Sequence, residues 1–136
     1  MTFIDTNVLV YSVDGKEPQK QSIAIEIVSR AIDHGGFLLS AQVLNEFSNI
    51  ALLKLKMTIP EVRDFVSMFA KIGTVPVESG WTDRALEIRQ RYGIQFFDAL
   101  LLVAAEAHGC DTIYTEDLAA GQTYCGVRAE NPFGAL

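Results

Sequence analysis

The sequence predicts an α/β fold, a mainly parallel sheet whose strands alternate with helices. Short apolar runs of strand length recur along the chain, segments of helical periodicity separate them, and glycines stand where the helices should stop. No repeat, low-complexity stretch or linker breaks the alternation, so residues 1–136 are expected to form a single domain.

The elements follow in order. Thr2 to Asp5, "TFID", reads as a strand that ends in an acid, with Thr6 the expected N-cap of the helix behind it. Glu17 to His34 carries Ala24, Val28, Ala31 and Ile32 as a helical stripe and stops at Gly35-Gly36. "GFLLS" is a buried strand, and Ser40 is expected to cap a helix running to about Lys56. Pro60 belongs to the first turn of the next helix, which ends near Gly73. "GTVPVE" is a third strand that Pro76 confines to a sheet edge or a strand end. Ser79 to Arg91 forms a helix closed by Gly93, and Asp98 is expected to start another that stops at Gly109. "DTIYT" is the fourth strand and "GVRAENPF" supplies a fifth.

Composition excludes several classes. With 49% hydrophobic and 21% charged residues the chain is far from disordered composition. Its longest apolar run, Ala99 to Ala105, is well short of the roughly 20 residues a membrane span needs. The opening "MTFIDTNVLVY" has no basic leader and no cleavage site, so a cytoplasmic protein is expected. Cys110 and Cys125, with only His34 and His108 to accompany them, match no zinc spacing and are expected to be free thiols. Seventeen acids against 11 bases give a net charge of -6, so any nucleic acid must be held by a local basic patch or through a metal.

The acids are where the chemistry concentrates. In parallel sheets, ligands gather at the carboxyl ends of the strands. Asp5 closes the first strand, Glu46 lies about two turns into the helix opened by Ser40, Asp98 begins its own helix inside "QFFDALLLVAA", and Glu116-Asp117 follow the fourth strand. Singly, each has a plain explanation: a turn residue, a solvated helix position, or a helix cap. Together they converge on one sheet edge. Like charges about 5 Å apart repel by roughly 3 kcal/mol per pair at a dielectric near 20, so such a set calls for a cation or for protonation. All-oxygen ligands without cysteine or histidine suit Mg²⁺ or Mn²⁺.

"FIDTNVLVY", "NEF" at Asn45 to Phe47, "FFDALLLVAAEAHGCDTIYTEDL" and "GVRAENPF" together resemble the PIN-domain ribonucleases, most closely the toxins of bacterial VapC-type toxin-antitoxin pairs. The likeness spans essentially the whole chain in register. It implies a three-layer α/β/α fold and a metal-dependent endoribonuclease with Asp5, Glu46, Asp98 and Asp117 as the catalytic, metal-binding acids. Asn7 and Thr115 match supporting polar positions; Glu116 either binds a second metal through water or faces solvent. The resemblance further implies products with 5′-phosphate and 3′-hydroxyl ends, a cognate antitoxin partner and a homodimer.

The remaining residues fit around this. His34 and His108 stand at expected helix ends, where imidazolium complements the dipole, and no catalytic role is assigned to them. Lys54, Lys56, Arg84, Arg89 and Arg91 are the candidates for tracking an RNA backbone, with a solvated helix face as the competing explanation. A phosphatase of the haloacid dehalogenase type also starts from an acid after strand one, but with a second acid two residues on, where this chain has Asn7. A PIN-like domain that only binds a partner is the other alternative, and the intact acids argue against it.

Overall fold

Three βαα units run in succession through the computed structural model, which describes residues 1–136. β1 (Thr2–Ile4) leads to α1 (Thr6–Val13) and α2 (Pro18–His34), β2 (Phe37–Ser40) to α3 (Ala41–Leu53) and α4 (Ile59–Phe69), and β3 (Gly73–Val75) to α5 (Trp81–Tyr92) and α6 (Phe96–Ala107). β4 (Thr112–Tyr114), β5 (Thr123–Tyr124) and β6 (Val127–Glu130) complete the chain.

The sheet order is β3-β2-β1-β4-β6-β5, with every pairing parallel except that of β5 with β6. β1 is central: Phe3 pairs with Leu38 on one side and Ile113 on the other. From β1 the chain steps outward through β2 to β3, then returns to lay β4 on the opposite side of β1. The loops leaving β1 and β4 therefore diverge, which opens a crevice at the carboxyl ends of these two strands. Asp5 follows β1, and Thr115 to Asp117 follow β4.

Helices cover both faces. α1 packs on α2 and α3, and α3 on α4, while α5 and α6 pair and α6 lies on β2, β4 and β6. Ala99 to Ala105 are all buried, which explains the unbroken apolar run: this helix meets protein on nearly every side. Phe3, Ile4, Leu39 and Ile113 of the sheet join Phe47, Phe69, Ile88 and Leu101 of the helices in one hydrophobic cluster. No helix is long and apolar enough to cross a membrane.

Local expectations are corrected at several ends. Asp5, not Thr6, caps α1: its carboxylate accepts the Thr6 N–H, which frees the Thr6 hydroxyl for Glu46. α3 ends at Leu53 rather than near Lys56, because Lys56 adopts a left-handed φ of 57° and the Met57 N–H turns back to the Ala51 carbonyl. α4 begins at Ile59 on a capping box between Thr58 and Glu61. Ser40 holds the cap position of α3 but makes no capping bond, and its buried hydroxyl has no partner. α6 starts at Phe96 with Gln95 as its cap, so Asp98 sits inside the first turn rather than before it. The final surprise is β5, joined to β6 by a tight turn with φ of 49° at Cys125 and 83° at Gly126. Positive φ at both central residues is the signature of the hairpin turn that matches strand twist.

Candidate metal centre

Asp5 is nearly fully buried at the end of β1. The Thr6 N–H donates to its Oδ1 at 2.5 Å, and the Thr115 hydroxyl donates to its Oδ2 at 2.6 Å. Thr115 in turn accepts the Asp117 N–H at 3.0 Å, so one hydroxyl fastens the β4 loop to the β1 acid. The Asn7 amide donates to Asp5 Oδ2 at 3.4 Å and to Asp117 Oδ2 at 3.2 Å, spanning the crevice from α1. Half-buried Asp98 accepts no hydrogen bond from the protein, and only its place in the first turn of α6 favours its charge. The helix-cap explanation thus fails for it.

One carboxylate oxygen from each of Asp5, Asp98 and Asp117 lies within 4.8 Å of the others. No lysine or arginine is ion-paired with any of them. Burial, offset in part by the Thr115 hydroxyl and reinforced by the Asp117 and Asp98 charges, pushes Asp5 up to about 7. Burial, with Asp117 and Glu46 adding to it, pushes Asp98 up to about 6. The donor set fits a hard divalent cation: all oxygen, convergent, mutually repulsive and without a protein counter-charge. The Asn7 carbonyl oxygen is buried without a partner, a further hard oxygen left over at this place.

Glu46 stands outside that cluster but lines the same cleft, of about 330 Å³. It is already engaged: Oε2 accepts the Thr6 hydroxyl at 2.7 Å and Oε1 the Gln42 amide at 2.8 Å. Gln42 also donates to the Phe97 carbonyl at 3.1 Å, tying α3 to the start of α6 and so to Asp98.

The PIN domain family profile matches residues 2–123. The chain belongs to the PIN domain family. No curated protein matches it. Solved structures with the same fold include a toxin-antitoxin complex from Klebsiella pneumoniae, 18% identical over 98% of both chains with a TM-score of 0.72. A sarcin-ricin loop cleaving toxin of Mycobacterium tuberculosis is 14% identical over 86% of this chain and 90% of that one, at a TM-score of 0.65. A VapBC complex of Rickettsia felis bound to a promoter DNA fragment is 18% identical over 96% and 97%, at 0.67.

In this PIN domain Glu116 lines the same cleft, outside the cluster of three aspartates. It accepts bonds from the Tyr11 hydroxyl and, at 3.1 Å, from the Lys20 ammonium, which also lies 4.6 Å from the Tyr11 ring centroid. These contacts anchor the β4 loop to α1 and α2. Of the five basic residues proposed for RNA, Lys54 lines the acidic cleft and Lys56 an adjoining groove. Arg84 is spent on structure, with Nε and Nη2 donating to Glu106 at 3.0 and 2.9 Å and Nη1 to Glu87 at 2.6 Å. Arg89 donates to the Ile94 carbonyl at 2.7 Å and Arg91 lies over the Tyr92 ring. These three arginines are thus engaged within the α5–α6 region rather than lining the acidic cleft. His34 ends α2 and His108 caps the end of α6 against Trp81, both at the amino-terminal edge of the sheet, opposite the acids.

The raised carboxyls have a stability consequence. A carboxyl whose folded pKa lies above its unfolded value binds more protons in the native state, so its contribution is complete at low pH and is lost as pH rises through the folded pKa. In EDTA, the melting temperature should therefore fall between about pH 5.5 and 8 as Asp98 and Asp5 ionise. Mg²⁺ should flatten that slope, and so should Asp5→Asn. A slope identical in wild type and Asp5→Asn would contradict this attribution.

Proposed function

We propose that this PIN domain is a metal-dependent endoribonuclease and the toxin of a toxin-antitoxin pair. The observation that carries the reading is the convergence of the Asp5, Asp98 and Asp117 carboxylates, without a protein counter-charge, at the β1/β4 crevice. The three offer oxygens to Mg²⁺ or Mn²⁺, and Glu46 completes the acidic set from the cleft wall. When bound, such an ion lets water act as a nucleophile at neutral pH and offsets charge gathering on the phosphoryl oxygens. Thr115 and Asn7 hold Asp5 and Asp117 in place, while Thr6 and Gln42 hold Glu46. Glu116 acts at a distance, keeping the β4 loop in position through Tyr11 and Lys20. The partners in this reading are an RNA substrate, a small antitoxin and a second copy of the chain, and the setting is the cytoplasm. Its support lies in the family, in the acids and in the toxin-antitoxin complexes that share the fold.

The test is cleavage of a panel of structured RNAs by the purified protein. Cleavage should require Mg²⁺ or Mn²⁺, stop in EDTA and yield 5′-phosphate ends, and Zn²⁺ should substitute poorly for an all-oxygen set. Cyclic phosphate ends formed in EDTA would contradict the reading.

A further inference from the structure

We propose that Lys16, Lys54 and Lys56 form a phosphate-binding groove that carries the substrate RNA away from the acidic cleft. The inference rests on the nuclease reading above and names a route for the chain of phosphates beyond the cleaved one.

The cleft wall made by Asp14, Lys54 and Leu55 is shared with a second groove of about 490 Å³, set between the end of α1 and the turn joining α3 to α4. Lys16, Lys54 and Lys56 line it, with Val13, Met57 and Phe65. All three lysines are exposed, and none takes part in any of the ion pairs of the structure. The carboxylates of this groove are occupied by local donors instead. Asp14 accepts the Lys16 N–H at 3.1 Å, and Glu61 accepts the N–H and hydroxyl of Thr58 at 3.0 and 2.9 Å. In a chain of net charge -6, three unpaired cations thus line one groove, and Lys54 among them also lines the cleft where a phosphodiester would be cut.

Backbone conformation supplies a second, independent observation. Lys56 sits at φ 57°, a region where glycine or asparagine is at ease and a long side chain is not. The turn that ends α3 needs a left-handed residue there, and strained residues of this kind cluster at functional sites. Here the lysine brings a cation to the groove. A flexible ammonium is suited to a phosphate bound as a point charge along a single strand.

The competing explanation is that these lysines only stabilise the ends of α1 and α3 through the helix dipole, in which case removing them lowers stability rather than affinity. The experiment separates the two. In an Asp98→Asn background with Mg²⁺, binding of a labelled oligouridylate of about ten nucleotides is followed by anisotropy across a salt series. Lys16→Ala/Lys54→Ala/Lys56→Ala should weaken binding more than about tenfold, and should shallow the log–log salt slope by about 0.7 per lysine. Lys56→Gly should weaken binding without lowering the melting temperature, since it relieves the left-handed strain. Lys71→Ala, at the other edge of the sheet, should change neither quantity. An unchanged affinity and slope in the triple variant, or a loss that tracks melting temperature, would overturn the groove. Should the wild type cleave RNA while the triple variant cleaves it with the same kcat/KM, the groove fails and the nuclease reading stands; should the wild type cleave no RNA with either ion, both fall.

Discussion

Asp98→Asn should reduce RNA cleavage by about a thousandfold or more while leaving the fold intact. The amide keeps the shape of the carboxylate but not its charge, and Asp98 makes no hydrogen bond in the protein that the change would break. Its charge instead opposes Asp117 and Glu46 and is poorly solvated, which is why its carboxyl is raised to about 6. Above that pH the metal-free variant should melt a few degrees higher than wild type. Activity and stability moving in opposite directions mark a site built for a ligand at the fold's expense. Full activity in the variant would remove Asp98 from the metal centre.

Expression of the chain without its partner should arrest growth, and Asp5→Ala or Asp98→Asn should abolish the arrest. Restraint of such a nuclease follows from the same electrostatics. Three converging carboxylates without a counter-charge present a strongly negative cleft, and an arginine offers a planar, permanently charged fork that pairs with two of them at once. The expected antitoxin therefore inserts an arginine among Asp5, Asp98 and Asp117, near Glu46, and competes with the ion. The net charge of -6 steers a basic inhibitor toward it, most at low salt. Replacing the antitoxin's C-terminal arginines with alanine should relieve inhibition, and raising Mg²⁺ should weaken the intact inhibitor. Inhibition that ignores both changes would place the antitoxin elsewhere on the surface.

Much of the fold and of the acidic site is legible in the sequence for physical reasons. The alternation of strands and helices set the sheet, and the position of Asp5, Asp98 and Glu116-Asp117 just past strands or at a helix start put the acids at its carboxyl edge. Pro76 correctly kept the third strand short and at the edge. The hairpin of β5 was missed because its turn is Cys125-Gly126 rather than the usual Asn-Gly or Asp-Gly, so only the glycine hinted at it. The start of α6 is placed two residues late, at Asp98, because an acid before an apolar run commonly opens a helix and nothing in the sequence says that Gln95 precedes the first turn. Gln42 and Glu46 stand four apart on one helix, a spacing that does announce a side-chain pair. The Tyr11–Lys20–Glu116 contact had no such signal, since its members are brought together only when β4 pairs with β1.

The central claim is that Asp5, Asp98 and Asp117 hold one divalent cation. Calorimetric titration of Mn²⁺ into the wild type near pH 6, in two buffers of different ionisation heat, measures it directly. The account predicts saturable binding with release of about one proton per ion, because Asp5 and Asp98 must give up protons to bind it. It also predicts at least about tenfold weaker binding in Asp98→Asn. Absence of binding, or equal affinity in the variant with no proton released, would contradict the account.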